Sequence, residues 1–423
     1  MKKVLIISYY WPPSGGAGVQ RWLKFAKYLP DFGWEPILLT VDPNIASYPQ
    51  LDESLLEDAK GIETHRTKTF ELYNIYSKMK KDKQIPYGGF SNEGNPTIFQ
   101  KFMRFVRGNF FIPDPRKGWN KYALVEAKRL INKYNINTVI TTSPPHSTQL
   151  IGLQLKKKLG INWIADLRDP WIDIYYYHKF YPTKLARSID KNYEIEVIQN
   201  CDYLITVSPG IRADFIKTYG FESKIKVLTN GFDTSDFPDE IFKGIKLRKE
   251  VLFTGTMTAD YPMQEVLELA KNNADYPFRF VGNVASEFVD LVKESGLSDQ
   301  FIFQKSISHD AIIKEMVHAE LLLIFIPRID KNEGLLSGKL FEYLGSRRPI
   351  VCIGPENGDV AKVIADTRSG VNLEYNKVGK VAINTILDDL IRDSKSQHIN
   401  YSRQELTREL SKLIASVEQR YVK

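Results

Sequence analysis

The sequence predicts an α/β protein made of two Rossmann-like βα arrays, each a parallel sheet with helices on both faces. Three observations carry that prediction. Short apolar, β-branched runs alternate with stretches of helical period between residues 3 and 207. The alternation breaks at 227–238 (VLTNGFDTSDFP), where Asn-Gly, Asp and Pro mark turns, and then restarts from 251. A chain of 423 residues suits two domains.

The first strand is expected over 3–9 and runs into YYWPPSGGAGVQR. A helix follows over 20–29, apolar at Trp22, Leu23, Phe25, Ala26 and Leu29, and PILLTV supplies the next strand at 36–41. The same order recurs with strands at 138–142, 163–167 and 203–207 and helices at 148–159 and 185–199. Beyond the break, strands are expected at 251–255, 278–282, 301–304, 321–327 and 350–354, with helices at 263–272 and 310–318. A short helix beginning near Ser337 and Gly338 would separate the last two strands. In the final segment, 402–421, Ser402 and Glu405 make a capping box, and Leu406, Leu410, Leu413, Ile414 and Val417 form one stripe.

Composition is that of an ordinary globular protein, and there is no internal repeat or low-complexity tract. No apolar run approaches the roughly 20 residues of a membrane-spanning helix. The start MKKVLIISYYWPPSGG lacks a signal-peptide cleavage pattern. Cys201 and Cys352 lie far apart in apolar segments and read as reduced core thiols, so a cytoplasmic location is expected. The net charge of +7 is uneven. Residues 66–133 hold 15 Lys and Arg against 5 Asp and Glu, which leaves the rest of the chain slightly acidic. Within that segment, 98–111 (IFQKFMRFVRGNFF) interleaves aromatics with Lys101, Arg104 and Arg107. It reads either as a basic amphipathic helix for an anionic membrane surface, or as a core-packing helix with a solvated basic face. Nucleic acid is not expected, because basic charge comes without a recognised binding motif.

Several residues sit where an open α/β sheet binds ligands, at the carboxyl ends of the strands. A helix starting at 337–338 would offer unpaired N–H groups to a phosphate. Lys339 and Glu342 share a face of it, a cation for phosphate and a carboxylate for ribose hydroxyls, or else a plain surface pair. Gly15, Gly16 and Gly18 follow the first strand, but G-x-G-x-x-G fails because Arg21 stands at the third glycine, so a dehydrogenase is not expected. The glycines still allow a ligand to approach the backbone, or form only a flexible turn. SPPHS places His146 just after the 138–142 strand, and DLRDPW places Arg168 and Asp169 after the 163–167 strand. Asp169 suits holding or deprotonating a hydroxyl and Arg168 holding an anion; the alternative is a buried Arg–Asp pair that fixes the loop. There is no Asp-x-Asp, so no metal-clamped diphosphate is expected.

KLFEYL followed by an Arg-containing turn and PIV, together with DLRDPW and the NG-x-D segment at 230–233, resembles family 4 glycosyltransferases of the two-domain GT-B fold. The resemblance implies a retaining, metal-independent transferase with a nucleotide sugar as substrate and no cofactor. Its acceptor would be a glycan or lipid-linked molecule, as in surface-polysaccharide assembly, on the inner face of a membrane. It implies an acceptor domain over 1–230, carrying the 66–133 insert, and a nucleotide-sugar domain over 231–401. The two would face an interdomain cleft, with a terminal helix at 402–423 crossing back to the first domain. Glu342 then contacts the ribose, and Lys339 and Arg328 serve the diphosphate in place of the cations usual after the 251–255 strand. The family's Glu-x7-Glu would put its first Glu at Gly334, whereas this chain has Glu333. The Gly15–Gly16 loop would lie near the donor phosphates and the acceptor and His146 near the reacting sugar, with Asp169 on an acceptor hydroxyl and Arg168 on an anion. A GT-B sugar-nucleotide epimerase and a non-catalytic sugar-nucleotide-binding protein remain as alternatives.

Overall fold

The computed structural model describes residues 1–71, 96–389 and 398–419. It divides into two units, one of Met1–Val207, Ile211–Thr229 and Leu406–Lys423, the other of Ser208–Gly210 and Asn230–Glu405.

The first unit is built on seven parallel strands: β1 (Lys2–Ile7), β2 (Trp34–Val41), β3 (Glu63–Thr67), β4 (Thr138–Ser143), β5 (Asn162–Leu167), β6 (Tyr203–Thr206) and β7 (Ile225–Val227). Their order is β3-β2-β1-β4-β5-β6-β7. β1 shows why its sequence is almost wholly apolar. Val4 is flanked by Pro36 and Thr138, and successive side chains enter opposite cores. Val4 and Ile6 pack with Trp22 and Leu23 of the Ala17–Tyr28 helix and with Leu406, Leu410, Ile414 and Val417 of the Arg403–Gln419 helix. Leu5 and Ile7 pack with Ala123 and Leu130 of Asn120–Tyr134 and with Leu150 and Leu155 of Ser147–Leu159. The C-terminal helix thus completes one face of this sheet, and Ser402 Oγ accepts from Glu405 N (3.2 Å) at its start, as expected of a cap.

The second unit has six parallel strands: β8 (Arg248–Thr254), β9 (Phe278–Val281), β10 (Phe301–Gln304), β11 (Ala319–Phe325), β12 (Ile350–Ile353) and β13 (Gly370–Leu373), in the order β10-β9-β8-β11-β12-β13. The Gly338–Ser346 helix buries Leu340, Phe341, Tyr343 and Leu344 against one face, beside Ile313 and Val317 of His309–His318. In each sheet the chain reverses direction of growth once, between β1 and β4 and between β8 and β11. Such reversals open a crevice at the carboxyl ends of the strands.

β3 (ETHRT), β7 (IKV) and β13 (GVNL) were not expected from the sequence. All three are sheet edges, and edges are short or polar and lack an apolar run. The 98–111 helix forms as Ile98–Phe110, with a capping box between Thr97 and Gln100. Its faces run opposite to the core-packing alternative. Arg104 is buried and Arg107 half-buried, its guanidinium 4.4 Å from the Phe180 ring, while Ile98, Phe99, Phe102, Phe105 and Phe110 are exposed. Of the basic 66–133 segment, residues 72–95 lie outside the described residues.

The Arg168–Asp169 pair weighed from the sequence does not form among the described residues; a different buried pair is found. Arg21 and Asp166 are both fully buried and ion-paired at 3.2 Å. Asp166 also accepts from Trp22 Nε1 (2.6 Å) and Thr142 Oγ1 (2.8 Å), while Arg21 donates to the carbonyls of Leu228 (2.8 Å) and Thr229 (2.7 Å). The residue that breaks the dinucleotide fingerprint is therefore an internal clamp among three parts of the first unit. Removing one partner strands the other charge in the core. Asp166→Ala is expected to lower the unfolding free energy by about 3–5 kcal/mol, measured by denaturant titration of the purified protein.

Candidate active site

In the first unit the loops after β1, β4 and β5 meet at the switch point. Arg168 leaves β5 and turns back, its Nε donating to the Ser143 carbonyl at the end of β4 (2.7 Å). Its guanidinium lies against Gly18, where an added Cβ would fall 2.0 Å from Nη1. The third glycine of GGAG is thus required by a close approach inside the protein. Gly15 is also engaged internally, its N–H donating to the Gln50 carbonyl (3.0 Å), and Gly16 caps the Ala17–Tyr28 helix with a φ of 104°.

His146 precedes the Ser147–Leu159 helix, whose first turn is held by Asp114. The Asp114 carboxylate accepts from Ser147 N (2.7 Å) and Ser147 Oγ (2.9 Å). The imidazole stacks on Trp171 with centroids 4.8 Å apart. Trp171 is fixed in turn by Asp190, which accepts from its Nε1 (2.6 Å) and from the Tyr177 hydroxyl (3.0 Å). Burial, then the Arg168 charge, push the His146 pKa down to about 3, against a hydrogen bond with the Asp169 main chain, so the ring is neutral near pH 7. Its Nε2 has no hydrogen-bond partner among the described residues. Burial raises the Asp169 pKa, with Arg168 opposing and Asp166 adding to the rise. No hydrogen bond or ion pair satisfies the Asp169 carboxylate among the described residues. A neutral acceptor nitrogen and a proton-hungry carboxylate, both half-buried, suit the handling of hydroxyl groups.

In the second unit the Gly338–Ser346 helix opens at the switch point between β8 and β11. Ser337 makes no side-chain capping bond and the first turn holds no acidic residue, which leaves its N–H groups for an anion. The Lys339 ammonium reaches across to the loop after β8, 3.4 Å from the Thr256 carbonyl and 4.4 Å from the Phe253 ring centroid. Gly255, at φ 102°, gives it room, since a Cβ there would lie 2.4 Å from Cε. Burial lowers the Lys339 pKa to about 8, with Glu342 opposing. Glu342 is half-buried, and burial raises its pKa first; His309 pulls it down and Asp236 pushes it up. His309 Nε2 lies 3.4 Å from Asp236 Oδ2, and this contact raises the histidine's pKa. The Glu342 carboxylate makes no hydrogen bond or ion pair among the described residues. A carboxylate taken partly out of water without a donor is costly, and a vicinal diol would satisfy it.

The structure brings Lys339 and Glu342 together, and in the first unit His146, Asp169, Arg168 and the glycine loop. Arg328 joins the same sheet edge by its N–H to the Asp260 carbonyl (3.0 Å), but its guanidinium pairs with Glu265 and lies over Tyr375. Glu333 is exposed on the Asn332–Gly334 turn, and the Gly334 carbonyl accepts from Ser208 Oγ (2.7 Å). Sequence reasoning missed Trp171, Asp190, His309 and Asp236. Trp171 sits within DLRDPW and Asp236 just past the NG-x-D turn, so position was a signal; His309 carried none.

Residues 89–236 match the model of Glycosyltransferase Family 4. No curated protein matches the sequence. Among solved structures, sucrose-phosphate synthase from Thermosynechococcus elongatus superposes with a TM-score of 0.63 at 13% identity, over 99% of this chain and 100% of the other. The Anabaena protein HepE, in complex with UDP and glucose, gives 0.62 at 13% identity over 98% and 100%. The lipopolysaccharide outer core galactosyltransferase WaaB gives 0.58 at 12% identity over 98% and 99%. Over 89–236 the chain is similar to family 4, and its fold is GT-B. In this GT-B chain Lys339 and Glu342 lie at the switch point of the second sheet and His146 at that of the first.

Asp190 offers a measurement independent of activity. Burial raises its pKa to about 6, so its contribution to stability is complete below the unfolded-state value and is lost as pH rises through 6. Relative to Asp190→Asn, the wild type is expected to lose up to about 3 kcal/mol between pH 4 and pH 8, read by chemical denaturation at both values.

Proposed function

We propose that the protein is a glycosyltransferase that moves a sugar from a uridine diphosphate sugar to a hydroxyl of a glycan or lipid-linked acceptor. The reading includes retention at the anomeric carbon and no metal requirement. The observation that carries it is the pairing of an unsatisfied, half-buried Glu342 with Lys339 at an uncapped helix start. Glu342 accepts the ribose hydroxyls, while Lys339 and the helix N–H groups take the diphosphate. As the bond from the anomeric carbon to the diphosphate oxygen breaks, these donors stabilise the charge on the leaving group. Neutral His146 accepts a sugar hydroxyl at Nε2, and Asp169 accepts the acceptor's proton as its oxygen bonds to the anomeric carbon. Uridine is favoured because the structures of HepE, similar in fold, contain UDP or UDP-glucose.

A second reading, a sugar-nucleotide binder without turnover, draws on the pairing of Arg328 with Glu265, which occupies one of the two expected phosphate cations. Such a protein would bind donor yet neither transfer nor hydrolyse the sugar, which NMR of a UDP-sugar mixture would register. An epimerase would convert the donor sugar with no acceptor present, in the same spectrum.

The first test is thermal unfolding with UDP, ADP, GDP and CDP. UDP is expected to raise the midpoint of the wild type and to leave folded Glu342→Ala unchanged. No shift with any nucleotide would sink the transferase reading. The pH dependence provides a second test. UDP affinity is expected to fall as pH rises through 8, where Lys339 loses its proton, and Lys339→Arg is expected to abolish that fall. Isothermal titration calorimetry between pH 6.5 and pH 9.5 checks both.

A further inference from the structure

The outward face of the Ile98–Phe110 helix is left over by the chemistry above. On a helix of 13 residues, Ile98 is 87% exposed, Phe110 75% and Phe102 59%, and Phe99 and Phe105 are exposed as well. Soluble surfaces rarely present so many large apolar groups together. The arginines that would ordinarily solvate such a helix point the other way, Arg104 into the protein and Arg107 onto Phe180.

The patch continues beyond this helix. Asn109 donates from Nδ2 to the Tyr181 carbonyl (3.1 Å) and accepts at Oδ1 from Thr183 N (2.7 Å). This ties the end of the aromatic helix to the start of Lys184–Asn200, where Tyr181 is exposed and Leu185 is 72% exposed. Among the described residues of these two helices, Lys101, Lys184, Arg187 and Lys191 are exposed. No Asp or Glu occurs between residues 94 and 113, and the wider 66–133 segment is strongly basic.

We infer that this face docks on an anionic lipid bilayer, with the aromatics seated at the headgroup boundary and the lysines and Arg187 on lipid phosphates. The combination decides for lipid over a protein partner. Aromatic and branched side chains gain from partial burial at an interface, and a rim of one sign is matched by a surface of uniform opposite charge. The inference is independent of the donor chemistry proposed above, and each can fail without the other.

Co-sedimentation of the full chain with phosphatidylcholine vesicles, with and without phosphatidylglycerol, tests it. The wild type is expected to bind the anionic vesicles at low salt and to be released at high salt. The triple variant Phe99→Ser, Phe102→Ser, Phe110→Ser is expected to bind at least about tenfold more weakly. The pair Lys101→Glu, Lys184→Glu is expected to lose the preference for phosphatidylglycerol. Because these side chains are exposed, both variants should keep the wild-type melting midpoint and its shift with UDP, which reports on the donor site alone. The inference is overturned if the wild type ignores anionic vesicles, or if the triple variant binds them as well as the wild type. It is also overturned if the wild type self-associates in analytical ultracentrifugation without binding vesicles and the triple variant is monomeric, since a second copy would then own the patch.

Discussion

The buried ion pair between Arg21 and Asp166 is the constraint on which the first unit's site depends. Two charges removed from water gain little on balance, because desolvation offsets most of their attraction. What such a pair supplies is geometry. Asp166 is held by Trp22 and Thr142, so the end of β5 is fixed to the first helix and to β4. Arg21 reaches the Leu228 and Thr229 carbonyls and fixes the end of the segment after β7. Arg168 and Asp169 follow Asp166 directly, and Gly18 sits one helical turn before Arg21. The clamp thus ties together the two loops across which the Arg168 guanidinium lies on Gly18.

In each unit's own cluster burial alters charge in the same sense, lowering the pKa of the basic group and raising that of the carboxylate. Near Arg168, His146 is kept neutral and Asp169 is made a better proton acceptor. Near Glu342, the Lys339 ammonium is made easier to deprotonate, and the carboxylate is left without a donor. In each place the carboxylate carries a desolvation cost that nearby cations offset in part and that no hydrogen bond among the described residues relieves. Ligand hydroxyls and phosphates are the groups whose chemistry relieves it. Trp171 and Asp190 belong to the same logic at one remove, because they hold the imidazole ring in place without supplying a partner for Nε2.

Much of this was legible in the sequence, for physical reasons that differ from element to element. Central strands are buried on both faces, so 3–9, 138–142 and 251–255 announced themselves as apolar runs, whereas ETHRT at the edge carried no such signal. Lys339 and Glu342 were readable because three-residue spacing fixes a shared helix face. Arg168 with Asp169 looked like an internal pair because both are charged and adjacent, but the Arg168 guanidinium turns to the Ser143 carbonyl and to Gly18. The true partner of Asp166 lies 145 positions earlier, a distance no local pattern encodes. Arg328 was read as a phosphate cation by elimination, and its partner Glu265 sits on a different element, again invisible to spacing.

The Ile98–Phe110 helix is the sharpest case of what pattern alone leaves open. Periodicity separates its aromatic and basic faces but does not say which one faces the protein. The usual assumption, apolar side inward, rests on the cost of burying charge. Arginine weakens that assumption, because its long stem packs like an apolar chain and its weakly hydrated guanidinium stacks on rings. Arg107 does this on Phe180. Once the basic side finds such partners inside, the aromatic side is what remains for the surface. Phenylalanines left facing water are a cost in free energy, and contact with another apolar phase would offset it. The same residues that make the helix hard to orient from sequence are therefore those that give its outer face a reason to exist.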